Sequence, residues 1–298
     1  MEEKIQALRE KLTAIMKKHG YSQARVARSL GFSGGALSAW LSGTYKGDNE
    51  QVAEAVRGYL RLETERQQKR RTGIPFTETS ISEKIFKAAR ICHVEGEVGV
   101  AYGLSGIGKT YAVKQYAALN QDVILIEADN GYTAKDLFAE LTRTIGEYAS
   151  SINEMKNTII SKLKDSGRLI IVDEAENLPF KAIDLLRRVH DKAGVGVLFV
   201  GINRLYESLI SKRTIYAYVL SRIGVVARLE PLTQDDVKKI VHEAIPESGD
   251  LARTFYDISR GNARTASKLI FRSEALANEN GVAITPEIIR QAGKGLFI

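Results

Sequence analysis

The feature that most constrains the fold of this chain is a glycine-rich segment, GLSGIGKT, at residues 103–110. It fits the pattern G-x-x-x-x-G-K-[ST], follows the apolar run VGVAY and precedes the helix-like segment YAVKQYAAL. Gly103, Gly106 and Gly108 let the backbone curl, so that its N–H groups and the start of the helix can face phosphate groups. A glycine turn without a ligand would need neither the Lys-Thr pair nor this spacing. The segment therefore predicts a nucleotide phosphate site between a strand and a helix.

The side chains of this loop are assigned by their chemistry. Lys109 should reach the β- and γ-phosphates of ATP, and the Thr110 hydroxyl should bind a Mg²⁺ ion that bridges the same phosphates. The predicted nucleotide-binding residues of the segment are Gly103, Leu104, Ser105, Gly106, Ile107, Gly108, Lys109, Thr110 and Tyr111.

A second motif, LIIVDEAENL, places two acidic residues at the end of a buried strand. Asp173 can complete the Mg²⁺ site through water, which makes it both a nucleotide-site and a metal-site residue. Glu174 is then the candidate that orients and deprotonates the attacking water. Adjacent acids at a strand end are common, but after a phosphate loop they indicate hydrolysis as well as binding.

The apolar patterns divide the chain into segments. Five short apolar runs, VGVAY, VILIEA, LIIVD, VLFVG and VVARL, alternate with helical stretches and predict a mainly parallel sheet with helices on both faces. After Pro231 the strand pattern stops, and Thr233 and Thr285 are typical helix starts. The overall class is therefore α/β. The predicted segments are an all-helical front domain (1–64), a basic linker (65–82), the α/β core (83–230) and a C-terminal helical lid (231–298).

Composition limits the kinds of protein that this chain can be. Its 298 residues are 44% hydrophobic and 27% charged, which suits a globular protein of two or three structural units. One cysteine, Cys92, excludes an internal disulfide and favours a reducing compartment. We see no signal peptide and no apolar run long enough to span a bilayer, so we expect a cytoplasmic protein. Residues 1–72 hold 14 Lys and Arg against 8 Asp and Glu, and this front quarter carries most of the net charge of +7.

The front domain contains a segment, residues 23–43, that matches the helix-turn-helix of phage repressors along its length. Ala27 is small where two helices would cross, and Gly31 can supply the positive φ of the turn. Leu37 and Trp40 belong to the apolar face between the helices, and Ser33 is placed to cap the second, recognition helix. The basic charge favours DNA binding over a helical bundle with no DNA role.

The expected DNA contacts carry little sequence information. The groove-facing positions would be Ser33, Gly34, Gly35 and Ser38, and none of them offers the bidentate contacts that discriminate bases. Arg25, Arg28 and Lys46 can contact phosphates, which gives affinity without specificity. We therefore expect weakly specific binding to double-stranded DNA.

The phosphate loop and the acidic motif resemble the Walker A and Walker B motifs of the AAA+ ATPases. In that family a polar sensor ends the next strand, a position for which the segment VLFVGIN offers Asn203 beside the apolar Ile202. The segment SRIG resembles the one that carries an arginine finger, here Arg222, which would reach the γ-phosphate of a neighbouring subunit. The segment GNAR resembles the second sensor, which would place Arg264 on the nucleotide. For each arginine the alternative is an ordinary surface ion pair.

The combination of domains resembles the B transposition proteins of phage Mu and its prophage relatives. The most similar parts are GALSAWLSGTYKGDNEQV, GLSGIGKT, VDEAENL and GINRLY. The resemblance implies an ATPase of phage or prophage origin in the bacterial cytoplasm that forms helical filaments on DNA when ATP is present. It also implies that the protein delivers target DNA to a transposase, stimulates strand transfer and hydrolyses ATP faster with DNA and transposase.

Three other functions remain open from the residues. A replication initiator or helicase loader also couples AAA+ modules to DNA domains, but it would bind an origin sequence. A nucleotide-switched transcription regulator would bind a palindromic site and hydrolyse ATP slowly. A secretion-type ATPase would use its front domain to bind protein, and its DNA binding would be absent or insensitive to salt.

Overall fold

The computed structural model describes residues 2–71, 74–211, 213–246 and 248–296. The chain forms two compact units, residues 1–73 and residues 74–298. None of the described helices is long and apolar enough to cross a membrane.

The first unit consists of helices over its described residues: α1 (Glu2–His19), α2 (Gln23–Leu30), α3 (Gly34–Leu41) and α4 (Asn49–Arg71). Its core contains Leu12, Val26, Leu37, Trp40 and Val56, all fully or almost fully buried. The Trp40 indole N–H donates to the Asn49 carbonyl at 3.3 Å, which satisfies the one polar atom of this buried ring.

A short turn joins α2 to α3 with the local chemistry that the sequence predicts. Gly31 ends α2 in the left-handed region at φ 76°, where a Cβ would be strained. The Ser33 hydroxyl accepts the Ala36 N–H at 3.2 Å and caps α3. Ala27 is buried on the inner side of α2.

The end of the first unit differs from the linker expected at residues 65–82. Helix α4 continues to Arg71, and residues 80–82 already belong to the next helix. The loss of apolar spacing in LETERQQKRR removes a reason to pack, but Leu, Glu, Arg, Gln and Lys are all good helix formers. Residues 72 and 73 of the expected linker lie outside the described residues.

The second unit is built on a parallel sheet of five strands in the order β2-β3-β4-β1-β5. The strands are β1 (Val98–Gly103), β2 (Val123–Glu127), β3 (Leu169–Asp173), β4 (Gly196–Gly201) and β5 (Ile223–Leu229), so each of the five predicted apolar runs forms a strand. Side chains alternate between two apolar layers along β3, where Ile170 and Val172 face one layer and Leu169 and Ile171 face the other. Burial on both sides explains why the runs of the central strands β1, β3 and β4 are continuously apolar.

Helices cover both faces of the sheet. One face packs against α7 (Ala134–Thr144), α8 (Ile152–Leu163), α9 (Phe180–Ala193), α10 (Asn203–Ser211) and α11 (Arg213–Leu220). The other face packs against α5 (Ser80–Glu95) and α6 (Lys109–Leu119). The same apolar cluster extends to the C-terminal helices α12 (Gln234–Ala244), α13 (Leu251–Ser259), α14 (Ala263–Asn280) and α15 (Pro286–Gly293). This arrangement confirms the predicted α/β class.

Two of the C-terminal helices, α12 and α15, begin where the sequence predicts. The Thr233 hydroxyl caps α12, and the Thr285 hydroxyl caps α15 with Pro286 in the first turn. Asp236 links the start of α12 to the start of α5, because its buried carboxylate accepts the N–H and hydroxyl of Ser80 at 2.8 and 2.6 Å. The same carboxylate accepts the Thr233 N–H and hydroxyl at 2.9 Å each.

Candidate nucleotide site

The carboxyl ends of β1, β3 and β4 open into a cavity of about 830 Å³. A parallel sheet brings these strand ends to one edge, which is where open α/β folds bind their ligands. The cavity is lined by the phosphate loop from Ser105 to Tyr111, by the acidic motif after β3, by the end of β4 and by residues of α12 and α14. Its volume lies within the range of small-molecule sites, about 300–1,000 Å³.

The phosphate loop has the backbone that its glycines predict. Gly106 and Gly108 have φ values of 79° and 106°, and α6 begins directly afterwards at Lys109. The Lys109 ammonium is buried and donates to the Gly103 and Leu104 carbonyls at 3.0 and 2.7 Å. Burial lowers the pKa of Lys109, against the opposing charges of Glu176 and Asp173. Gly103 and Leu104 therefore position the lysine, whereas the residues that follow them line the cavity.

The acidic motif places both predicted carboxylates at the cavity. Asp173 is 2% exposed, and its Oδ1 accepts the Glu174 N–H at 3.0 Å. Its buried Oδ2 has no hydrogen-bond partner within the described parts of the chain. Burial raises the pKa of Asp173, and the nearby Thr110 hydroxyl opposes that rise. An unpartnered buried carboxylate oxygen beside a threonine hydroxyl is a suitable donor set for Mg²⁺, which prefers oxygen ligands.

Glu174, the next residue of this motif, is exposed and lies at the mouth of the cavity. Its backbone is left-handed, with φ 52°, which is uncommon for a residue with a side chain. The Asn177 amide donates to its Oε2 at 3.3 Å and also to the Ala128 carbonyl at 2.9 Å. Burial raises the pKa of Glu174, and the negative charge of Asp173 adds to the rise. A raised pKa suits a carboxylate that takes a proton from water.

The predicted sensor, Asn203, is the first residue of α10. Among the described residues that line the cavity are its neighbours Ile202 and Arg204, but not Asn203 itself. The polar side chain that lies beside the end of β4 is Glu176, which follows β3 in the sequence. Glu176 lines the cavity and accepts the Ile202 N–H at 3.2 Å. Gly201 makes this possible, because a Cβ there would lie 2.2 Å from the Glu176 carboxylate. Only the tertiary fold brings Glu176 to this strand end.

The two predicted arginines lie in different places. Arg264, at the start of α14, lines the cavity, and its backbone N–H donates to the Gly106 carbonyl at 2.9 Å. Arg222, between α11 and β5, is not among the described cavity-lining residues. Its half-exposed guanidinium binds the Asp191 carboxylate of the same chain at 2.9 Å. In this structure Arg222 thus forms the surface ion pair that is the alternative to an arginine finger.

The sequence did not reveal an apolar side of the cavity. Ile74, Pro75 and Phe76 line it before α5, Leu232 lines it between β5 and α12, and Phe271 lines it from α14. Phe76 stacks on Phe86, with ring centroids 6.0 Å apart, and contacts the predicted nucleotide-site residue Tyr111 at 5.6 Å. The Tyr111 hydroxyl donates to the Ile74 carbonyl at 3.2 Å. Residues 74–76 fall in the segment that the sequence assigns to a linker, although the apolar run IPF shortly after the basic residues was a usable signal.

The candidate DNA contacts of the first unit are exposed. They comprise Arg25, Arg28, Ser33, Gly34, Gly35, Ser38 and Lys46. The Arg25 guanidinium lies over the Tyr21 ring at 4.0 Å, and the Arg28 guanidinium donates to the Ala24 carbonyl at 3.3 Å. The short side chains at the start of α3 leave its backbone accessible.

Comparisons with known proteins identify relatives of this chain. The model of the AAA domain family matches residues 93–209, which include the phosphate loop and the acidic motif. The Mu-like prophage FluMu DNA transposition protein B of Haemophilus influenzae is 30% identical over 238 residues, covering 77% of this chain and 82% of the relative. The ATP-dependent target DNA activator B of Escherichia phage Mu is 24% identical over 244 residues, covering 79% of this chain and 77% of the relative.

A solved structure supports the fold alone. The ADP form of the Aeropyrum pernix ORC2 protein superimposes with a TM-score of 0.54 at 18% identity, covering 74% of this chain and 70% of that chain. Together with the length and identity of the prophage match, the phosphate loop and acidic motif lead to one conclusion. This chain belongs to the family of Mu-like transposition B proteins, and its second unit has the AAA+ fold.

Proposed function

We propose that this protein is an ATP-dependent activator of target DNA in transposition, acting in the cytoplasm of a bacterial host. In this proposal it binds double-stranded DNA with low sequence specificity when ATP is bound, and assembles on it as a helical filament. It then delivers that DNA to a transposase and stimulates strand transfer. The observation that carries the proposal is the combination of phosphate loop, paired acids and lid arginine around one cavity, in a chain whose relatives bear transposition names.

ATP binding follows from the lining of the cavity. The phosphate loop and the start of α6 present backbone N–H groups to the phosphates, and Lys109 exchanges its two carbonyl partners for phosphate oxygens. The apolar side around Phe76 and Phe271 suits the adenine ring. Thr110 and Asp173 would hold Mg²⁺, which when bound neutralises the charge that develops on the phosphates.

Hydrolysis needs a base near the γ-phosphate and a counter-charge. Glu174 lies at the mouth of the cavity and would take the proton of the attacking water, while Asn177 holds its Oε2. Arg264 would contact the phosphates from the lid. Glu176 or Asn203 would report the state of the γ-phosphate to β4 and α10, and Glu176 is the one that lines the cavity.

Assembly would complete the site. Arg222 would leave Asp191 and reach the γ-phosphate of a neighbouring subunit, so that ATP bridges two subunits and favours the oligomer. Each subunit would make weak phosphate contacts through Arg25, Arg28 and Lys46 of its first unit. Assembly along DNA would combine the contacts of many subunits, so that the filament binds strongly. Hydrolysis would remove the bridge and release the DNA.

Two variants test the proposal. Lys109→Ala should lose ATP binding and therefore ATP-dependent DNA binding, measured by fluorescence anisotropy on random-sequence duplex. Glu174→Gln should bind ATP and DNA but hydrolyse ATP at least about 100-fold more slowly, within the range attributed to general-base catalysis. Wild-type hydrolysis should rise when DNA and the cognate transposase are added. DNA binding that is equal with ATP, with ADP and in Lys109→Ala would contradict the proposal.

A further inference from the structure

The start of α14 is fastened directly to the phosphate loop. The Asn262 side-chain amide donates to the Ser105 carbonyl at 3.0 Å. Two residues along, the Arg264 backbone N–H donates to the Gly106 carbonyl at 2.9 Å. Two consecutive loop carbonyls are thus held by the C-terminal subdomain, across more than 150 residues of sequence.

These bonds fix the direction of the neighbouring N–H groups. In a planar trans peptide the carbonyl and the following N–H point in opposite directions. Holding the Ser105 and Gly106 carbonyls toward α14 therefore turns the N–H groups of Gly106 and Ile107 away from α14. Backbone N–H groups of such a loop are the donors that phosphate needs.

The contacts around Asn262 fix the position of its side chain against the phosphate loop. Its Oδ1 accepts the Thr265 N–H at 3.0 Å and caps α14, which leaves the amide nitrogen free to donate to the loop. A Cβ on Gly106 would lie 2.7 Å from the Asn262 amide, so the contact needs glycine at that position. Behind it, the Gly261 carbonyl accepts the Leu232 N–H at 2.9 Å, which ties Asn262 to the segment between β5 and α12.

We propose that Asn262 is a positioning residue that couples the C-terminal helices to the phosphate loop. It keeps the loop in the conformation that binds a nucleoside triphosphate. This inference rests on the proposed ATP binding. It gives the GNAR segment a second role besides that of Arg264. Asn262 acts through the backbone of the loop and does not touch the reacting atoms, so it affects ATP affinity more than the rate of hydrolysis.

The substitution Asn262→Ser separates this role from helix capping. Serine caps a helix about as well as asparagine, but it has no amide to reach Ser105. Asn280→Ser is the matched control, because Asn280 ends the same helix, is exposed and donates only locally, to the Leu276 carbonyl at 2.8 Å.

Two measurements on the full-length protein test the proposal. Affinity for a fluorescent ATP analogue should fall roughly 3- to 10-fold in Asn262→Ser, the size expected for one hydrogen bond, while turnover at saturating ATP stays within about twofold. In the nucleotide-free protein, hydrogen exchange at the Arg264 N–H should become faster. Asn280→Ser should match wild type in both.

The outcomes separate the two proposals. Unchanged ATP affinity in Asn262→Ser, with or without faster exchange, overturns the positioning role, and so does an equal effect in Asn280→Ser. Slower turnover at unchanged affinity also overturns it. If wild type itself fails to bind the analogue, the proposed function is wrong, and the exchange measurement made without nucleotide still decides whether Asn262 holds α14 on the loop.

Discussion

The buried carboxylate of Asp236 should be the strongest polar link between α5 and the C-terminal helices. It is 3% exposed and accepts four hydrogen bonds, two from Ser80 and two from Thr233. In Asp236→Asn the amide oxygen can face the three donors now on Oδ2, which turns the amide NH₂ toward the Ser80 N–H. One buried N–H then loses its acceptor.

The magnitude follows from these contacts. A buried N–H without an acceptor costs about 1–3 kcal/mol, and bonds to a neutral acceptor are each weaker than bonds to a charged one. The neutral amide of Asp236→Asn does not carry the cost of burying a charge, and this offsets part of the loss. We expect a net loss of about 2–4 kcal/mol, or roughly 5–12 °C in the melting temperature of a unit of this size.

The pH dependence has a defined sign. Burial raises the pKa of Asp236, but the hydrogen bonds from Ser80 and Thr233 outweigh it and hold the pKa below the ordinary 3.8. A depressed folded-state pKa contributes stability above the unfolded-state pKa, and that stability is lost as the pH falls through the folded-state value. The difference between wild type and Asp236→Asn should therefore be constant from pH 8 to about pH 5 and shrink below about pH 4.

Scanning calorimetry of the full chain at pH 7.5, at pH 5 and at about pH 3.5 measures this difference and its decrease in acid. The matched control is Asp136→Asn, since Asp136 forms the same capping box with Thr133 but is exposed and joins no second element. The control should melt closer to wild type than Asp236→Asn does. Equal shifts in the two variants, or a shift for Asp236→Asn below about 2 °C, would refute the reasoning, since a loss of 2 kcal/mol corresponds to more.

Three further predictions concern function. Arg222→Ala should retain ATP binding but lower DNA-stimulated turnover about 100-fold or more, as removal of an arginine finger does. Asp191→Ala, which frees Arg222 and also removes the ion pair between Asp191 and Arg187, should not lower turnover. Gly106→Ala, at φ 79° and 2.7 Å from the Asn262 amide, should abolish binding of a fluorescent ATP analogue while circular dichroism stays like wild type. Arg25→Ala should weaken binding to unrelated duplexes equally and reduce the slope of log affinity against log salt by about 1 in anisotropy titrations, as expected for one lost phosphate contact.

The sheet and the phosphate loop could be predicted because their signals are local. Each central strand is buried on both faces, so runs such as LIIVD have no polar interruption. The glycines of the loop are required by its own backbone, at Gly106 and Gly108 above all. The caps at Thr233 and Thr285 are also local, since each hydroxyl bonds an N–H three residues ahead.

The remaining parts of the site depend on contacts between distant segments. Glu176 reaches the end of β4 because Gly201 leaves room for its carboxylate. The hydrogen bond from Asn262 to the Ser105 carbonyl joins the start of α14 to the phosphate loop, 157 residues away in the sequence. The pairing of Arg222 with Asp191 likewise has no signature in the residues around either. The continuation of α4 to Arg71 was missed for a local reason. A helix needs no apolar spacing where its residues favour the helical conformation on their own.

Electron microscopy of the purified protein on random-sequence duplex DNA, with ATP and Mg²⁺ or with ADP, would show whether ATP drives assembly on DNA. We expect filaments that coat the DNA with ATP, bare DNA with ADP, and filaments of Glu174→Gln that persist. Discrete rings or dimers at particular sequences, formed equally with either nucleotide, would contradict this expectation and favour an initiator or a regulator.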